Sequence, residues 1–125
     1  MSAGSTARRA AVACCEGLVA ENGSCSARLT FPPDYVGFQG HFPDNPILPG
    51  VCLIEAVLGV LERAWSQSLR LREIRSAKFR DPIKPGQAIV VHCASSIAGS
   101  GLRVSARVSR LGAHVADLVL HVTPS

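Results

Sequence analysis

From Val51 to about Trp65 the chain is almost wholly apolar: eleven of fifteen residues, interrupted only by Glu55, Gly59, Glu62 and Arg63. Such a run predicts a helix buried around most of its circumference. Glu55, Gly59 and Glu62 fall on one face by their spacing, so that face needs a reason to be polar. Ahead of the helix, Ala11 to Val19 and Ser24 to Phe31 read as two strands joined at Glu21-Asn22-Gly23, since Asn-Gly supplies the positive φ angles of a tight hairpin. In the second strand Cys25, Ala27, Leu29 and Phe31 alternate with Ser26, Arg28 and Thr30, which makes one face dry. Pro32-Pro33-Asp34 ends it, and the proline-rich segment up to Pro49 is excluded from regular structure.

After the helix the period falls to two. Ile74 to Phe79 leads into Pro82-Ile83-Lys84-Pro85-Gly86, where Pro-Gly suits the centre of a type II turn. Ala88 to Ile97, Leu102 to Leu111 and Val115 to Val122 are three more strands, separated by Ala98-Gly99-Ser100-Gly101 and Gly112-Ala113. Turns this short predict an antiparallel meander. The fold class is α+β, a curved antiparallel sheet around one buried central helix. Residues 1–10 are expected to be a flexible N-terminus, and residues 11–125 a single domain.

Composition narrows the function. The formal charge of +4 is mild, and the arginines are not interleaved with the few aromatics, which argues against nucleic acid and for an acidic partner. Five scattered cysteines, without a CxxC pair or metal-ligand spacing, read as reduced small hydrophobes of a cytoplasmic protein. Arg8-Arg9 and the apolar residues after them mimic the start of a signal peptide, but Glu16 cuts the run short. Glu55 and Glu62 interrupt the longest apolar run, so no membrane span is expected. His92, His114 and His121 lie in strands without ligand spacing and are expected to be structural or exposed. Gly99-Ser100-Gly101 is a turn rather than a phosphate loop.

The chemistry concentrates in Phe38-Gln39-Gly40-His41-Phe42-Pro43-Asp44-Asn45-Pro46-Ile47-Leu48-Pro49-Gly50 and the helix that follows. His41 can take and return a proton near neutrality. Gly50 opens the helix, where unpaired N–H groups and the positive end of the dipole can meet a developing oxyanion. Glu55 on a dry helix is expected to hold a proton and be able to donate it. A base, a backbone donor and an acid within fifteen residues suit proton chemistry rather than packing.

Gly40-His41-Phe42-Pro43, Pro46-Ile47-Leu48-Pro49-Gly50 and Glu55-Ala56 resemble the motif of the 3-hydroxyacyl-[acyl-carrier-protein] dehydratases of the FabZ type, which have the hot-dog fold. Ala77-Lys78-Phe79-Arg80-Asp81-Pro82-Ile83-Lys84-Pro85-Gly86 is similar to that family's strand-turn-strand. The resemblance covers about residues 11–122. It implies that His41 is the catalytic histidine and Glu55 the catalytic acid. The Gly50 N–H would polarise the thioester carbonyl, and the Ile47 carbonyl would hold the imidazole. It further implies a homodimer or higher oligomer with sites shared between chains, and no metal or organic cofactor. The substrate would ride on the phosphopantetheine of an acidic acyl carrier protein, for whose docking Arg75, Lys78, Arg80 and Lys84 are candidates. Two departures stand out. Gly59 replaces the glutamine usual one turn after the acid, and is expected to widen the acyl channel or to admit a partner helix. The first strand begins close to the start of the sequence, leaving little room for a helical N-terminal segment, as in shorter dehydratase-like proteins such as those of aryl-polyene pathways. A hot-dog thioesterase and a non-catalytic acyl-binding partner are the alternatives.

Overall fold

The alternation of β2 (Ser24–Thr30) is realised as expected: Cys25, Ala27 and Leu29 are buried, and Phe31 beyond its end is too. The computed structural model describes residues 6–38 and 46–125. The other elements are α1 (Thr6–Ala13), β1 (Cys15–Glu21), a single 3-10 turn at Val36–Phe38, α2 (Gly50–Trp65), β3 (Leu69–Phe79), β4 (Ala88–Ala98), β5 (Gly101–Arg110) and β6 (Ala113–Pro124). The six strands form one sheet in the order β1-β2-β4-β5-β6-β3, and every neighbouring pair is antiparallel. Gly23 and Gly86 have φ of 81° and 80°, the left-handed values the Asn-Gly hairpin and the Pro-Gly turn require.

One face of the sheet is apolar. Ile89, Val91 and Cys93 of β4, Val104, Ala106 and Val108 of β5, and Leu118, Leu120 and Val122 of β6 are all buried. They share one core with Leu53, Val57, Leu58, Val60 and Leu61 of α2. All five cysteines are free thiols, and Cys25, Cys52 and Cys93 belong to that core. The helix stops where Ser66 turns left-handed (φ 51°, ψ 45°) and its N–H returns to the Glu62 carbonyl. The chain then crosses to the far edge of the sheet as β3. No described helix is long and apolar enough to cross a membrane.

Two expectations are corrected. Residues 6–10, assigned to a flexible terminus, and residues 11–13, assigned to a strand, together form helix α1, and β1 starts only at Cys15. The sequence therefore does hold a helix before the first strand. Eight residues make a marginal helix in isolation; this one is held by what it touches, with Arg8 and Ala11 buried and Tyr35 donating its O–H to the Ala7 carbonyl at 2.8 Å. Burial, and then the neighbouring Cys52, Cys14 and Glu55, raise the Tyr35 phenol well above its ordinary value, so it remains a donor. Strand β3 begins at Leu69 rather than Ile74, its first residues pairing with the end of β6 from Leu69↔Pro124 onward.

Candidate active site

Proline precedes α2 and gives its first turn no side-chain cap. The helical ladder opens with the N–H groups of Cys52 and Leu53, which both donate to the Pro49 carbonyl at 3.0 and 3.2 Å. The N–H groups of Gly50 and Val51 precede that ladder, at the positive end of a sixteen-residue helix. Glycine at position 50 has a steric reason. A Cβ there would lie 2.8 Å from Cζ of Phe79 and 3.0 Å from Cε2, so the ring packs directly on the helix terminus. The Leu48 N–H donates to the Ile83 carbonyl at 2.8 Å and ties the approach to α2 onto the turn before β4. Ile47, Gly50, Leu53, Phe79, Arg80 and Ile83 are among the residues lining a hollow of about 340 Å³ at this end of the helix. That volume is of the size that takes a small acyl group.

Glu55 lies in the second turn of α2 with its side chain 20% exposed. On this otherwise dry helix it has a cationic partner. Arg8 of α1 forks onto it, Nε to Oε1 at 2.9 Å and Nη2 to Oε2 at 3.3 Å. Glu62, about two turns further on, takes the same guanidinium through Nη1 at 3.2 Å and accepts the Leu69 N–H at 2.7 Å. Among the described residues, one cation from another element thus meets both acids on the polar face of α2.

Gly59, expected either to widen an acyl channel or to admit a partner helix, is packed by a helix of the same chain. The room expected there for an acyl channel is filled by α1: a Cβ at 59 would stand 2.7 Å from Cγ2 of Val12, and 3.3 Å from both Cγ and the carbonyl oxygen of Arg8. Overpacking of this kind costs about 1–3 kcal/mol, whereas alanine in place of a helical glycine returns about 1 kcal/mol. Gly59→Ala is therefore expected to lower the melting temperature, and a thermal melt showing a rise would contradict this packing.

The cationic candidates separate. Lys78 and Arg80 line a second hollow, of about 430 Å³, on the sheet face opposite α2; its floor is made of small residues such as Ser76, Ala94 and Ser105. Lys78, Asp117, Arg107 and His92 are successive cross-strand partners through β3, β6, β5 and β4. Asp117 holds two of the cations, Arg80 at 2.9 and 3.2 Å and Arg107 at 3.3 Å. Hydrogen bonds from Arg80, and less from Arg107, keep its carboxyl below the ordinary value against some desolvation. Arg75 stands elsewhere, pairing with Glu73 at 3.4 Å and lining a separate hollow with Arg103 and His121. Lys84 is exposed in the turn, its N–H bonded to Gln87 Oε1 at 2.9 Å. Arg80 also lines the hollow beside Gly50, so it stands between the two. His41 lies outside the described residues, and with it the contact expected from the Ile47 carbonyl.

Residues 18–110 match the profile of the ApeI-like family, described as ApeI dehydratase. The chain belongs to that family. Among curated relatives it is similar to the 3-hydroxyacyl-[acyl-carrier-protein] dehydratase FabZ of Protochlamydia amoebophila, 39% identical over 82 residues, which are 61% of this chain and 49% of that protein. The FabZ of Lactobacillus helveticus is 35% identical over 75 residues, 54% and 49% of the two chains. The chain thus spans about half the length of the curated relatives it matches. Among solved structures, the dehydratase heterocomplex ApeI:P from Xenorhabdus doucetiae superposes with a TM-score of 0.72 at 19% identity, covering 87% of this chain and 96% of that one. An uncharacterised protein from Erwinia carotovora subsp. atroseptica gives 0.68 at 22% identity, covering 88% and 92%. At such identities the likeness carries the fold, which is the hot-dog fold expected from sequence.

Within this ApeI-like chain, Arg8, Arg107 and Asp117 were not singled out from sequence. A signal for Arg8 did exist: two acids in an apolar helix demand a cation, and Arg8-Arg9 is a basic pair in a segment otherwise read as frayed.

Proposed function

We propose that this ApeI-like protein dehydrates 3-hydroxyacyl thioesters carried on acyl carrier protein to the trans-2-enoyl thioesters, in the cytoplasm, in fatty-acid or specialised acyl-chain biosynthesis. The observation that carries the reading is the family match extending across Gly50 and Glu55, which occupy the first two turns of one helix beside an apolar hollow. His41 takes a proton from C2, and the thioester oxygen gains charge facing the Gly50 N–H. The C3–O bond then breaks as the C2–C3 double bond forms, and the proton carried by His41 leaves with the hydroxyl as water. Glu55, ion-paired with Arg8, is assigned to that hydroxyl as the acceptor that orients it. This revises its expected part as proton donor. No metal or organic cofactor enters the scheme.

The test is incubation of the purified protein with 3-hydroxyacyl carrier proteins of several chain lengths, read by mass spectrometry. Loss of 18 Da from the acyl group supports the reading. Release of free acid would make the protein a thioesterase, and binding without turnover an acyl-binding partner.

The carrier protein is proposed to lie against the groove of Lys78, Arg80, Arg107 and His92, with its phosphopantetheine passing Arg80 into the hollow beside Gly50. Arg75 and Lys84 are left out because they stand away from that groove. Reversing two charges, Lys78→Glu with Arg107→Glu, is expected to raise KM for acyl carrier protein by about tenfold or more at low salt, an effect that shrinks as salt is added. Turnover of a soluble pantetheine thioester should be unaffected. Equal losses on both substrates would place the docking surface elsewhere.

A further inference from the structure

Among the described residues, both acids of α2 meet the guanidinium of Arg8, which comes from another helix. Arg8 is only 6% exposed, and its guanidinium is used on three sides. Nε and Nη2 meet the two oxygens of Glu55, while Nη1 meets Glu62 and, at 3.3 Å, the Leu69 carbonyl. The arginine reaches this position because residue 59 has no side chain and leaves the Arg8 stem and Val12 lying on α2. Tyr35 anchors the same helix from outside through the Ala7 carbonyl.

A compact ammonium would fix only the distance of a neighbouring carboxylate. A planar fork engaging both oxygens also fixes the rotation of the carboxylate plane, and with it the direction of the remaining lone pairs. We propose that Arg8 is a positioning residue for Glu55, so that the N-terminal helix sets the orientation of the carboxylate in the active site. Glu62 and the Leu69 carbonyl serve Arg8 in turn: they hold the guanidinium plane against which Glu55 is aligned. The inference rests on the dehydratase reading and adds to it a residue outside the matched segment, which begins at residue 18.

Turnover of a 3-hydroxyacyl carrier protein is compared in wild type, Arg8→Lys, Arg8→Ala and the double variant Arg8→Ala/Gly59→Gln. Misplacing a catalytic group by about 1 Å costs on the order of 100-fold, so Arg8→Ala is expected to lower kcat by roughly 10- to 100-fold, with KM within about threefold of wild type. Arg8→Lys should recover only part of the loss. An amide at 59 stands one turn from Glu55, in space the Arg8→Ala change vacates, so the double variant should exceed Arg8→Ala. Methylguanidinium added at millimolar concentration should raise turnover of Arg8→Ala and not of wild type, a rescue that a purely structural arginine would not show. A folded Arg8→Ala with wild-type kcat overturns the proposal. If that variant does not fold, Arg8→Lys decides: unchanged kcat overturns the proposal, and a reduced kcat at constant KM supports it. Wild type without dehydratase activity would instead overturn the reading of the reaction, a distinct result.

Discussion

Replacing His41 with alanine is expected to lower dehydration by about 100- to 10,000-fold, the usual range for a positioned general base, while leaving fold and assembly unchanged. The proposed dehydration needs a group that takes the C2 proton and gives it up again near neutral pH, and an imidazole with its ordinary pKa of about 6.5 is suited to both. No other histidine is placed to substitute. His92 lines the groove on the sheet face opposite α2, and His114 is exposed at the start of β6. His121 also lines that outer side, its Nε2 within 3.2 Å of the Ala98 carbonyl. The variant is checked by circular dichroism and size-exclusion chromatography, and its turnover by the mass of the acyl carrier protein. Near-wild-type turnover would remove His41 from the mechanism.

The parts of the fold that could be read from sequence are those whose signal is local. Asn22-Gly23, the alternation of Cys25, Ala27 and Leu29, the apolar run of α2 and the Pro85-Gly86 turn each specify their own geometry, and each is found in place. Helix α1 was missed because its stability comes from contacts far along the chain: Arg8 and Glu55 are 47 residues apart, and Tyr35 and Ala7 are 28 apart. The start of β3 was missed although Leu69 and Leu71 alternate with Arg70 and Arg72. That half of the strand is pinned by pairing with the last residues of β6, which no local pattern announces. The same division holds at the site. The motif around Gly50 and Glu55 was legible because it is contiguous, and the helix it predicts is found as α2. The partner of Glu55, and the reason for Gly59, depend on a second helix packing on that face.

Mixing two inactive variants, His41→Ala and Glu55→Gln, is expected to restore activity to about a quarter of wild type. Random exchange makes half of the dimers mixed, and each mixed dimer carries one intact site of two. Glu55→Gln should itself be inactive: one of the two atoms facing the Arg8 fork becomes an N–H donor set against a donor. The proposal that sites are shared has a structural motive at the sheet edge. Among the described residues, strand β3 is an eleven-residue edge with no neighbouring strand on one side, and it exposes Ile74 and Phe79. A long edge with exposed apolar side chains invites pairing with another chain, and a two-fold axis there would repeat the contact from both sides. Phe79 also packs on Gly50, so a partner strand laid along β3 would lie close to the N-terminus of α2. The measurement is turnover of the mixture after subunit exchange has been verified by native mass spectrometry. Recovery toward a quarter supports composite sites. Verified mixed dimers without activity would mean that His41 and Glu55 of one chain serve the same site.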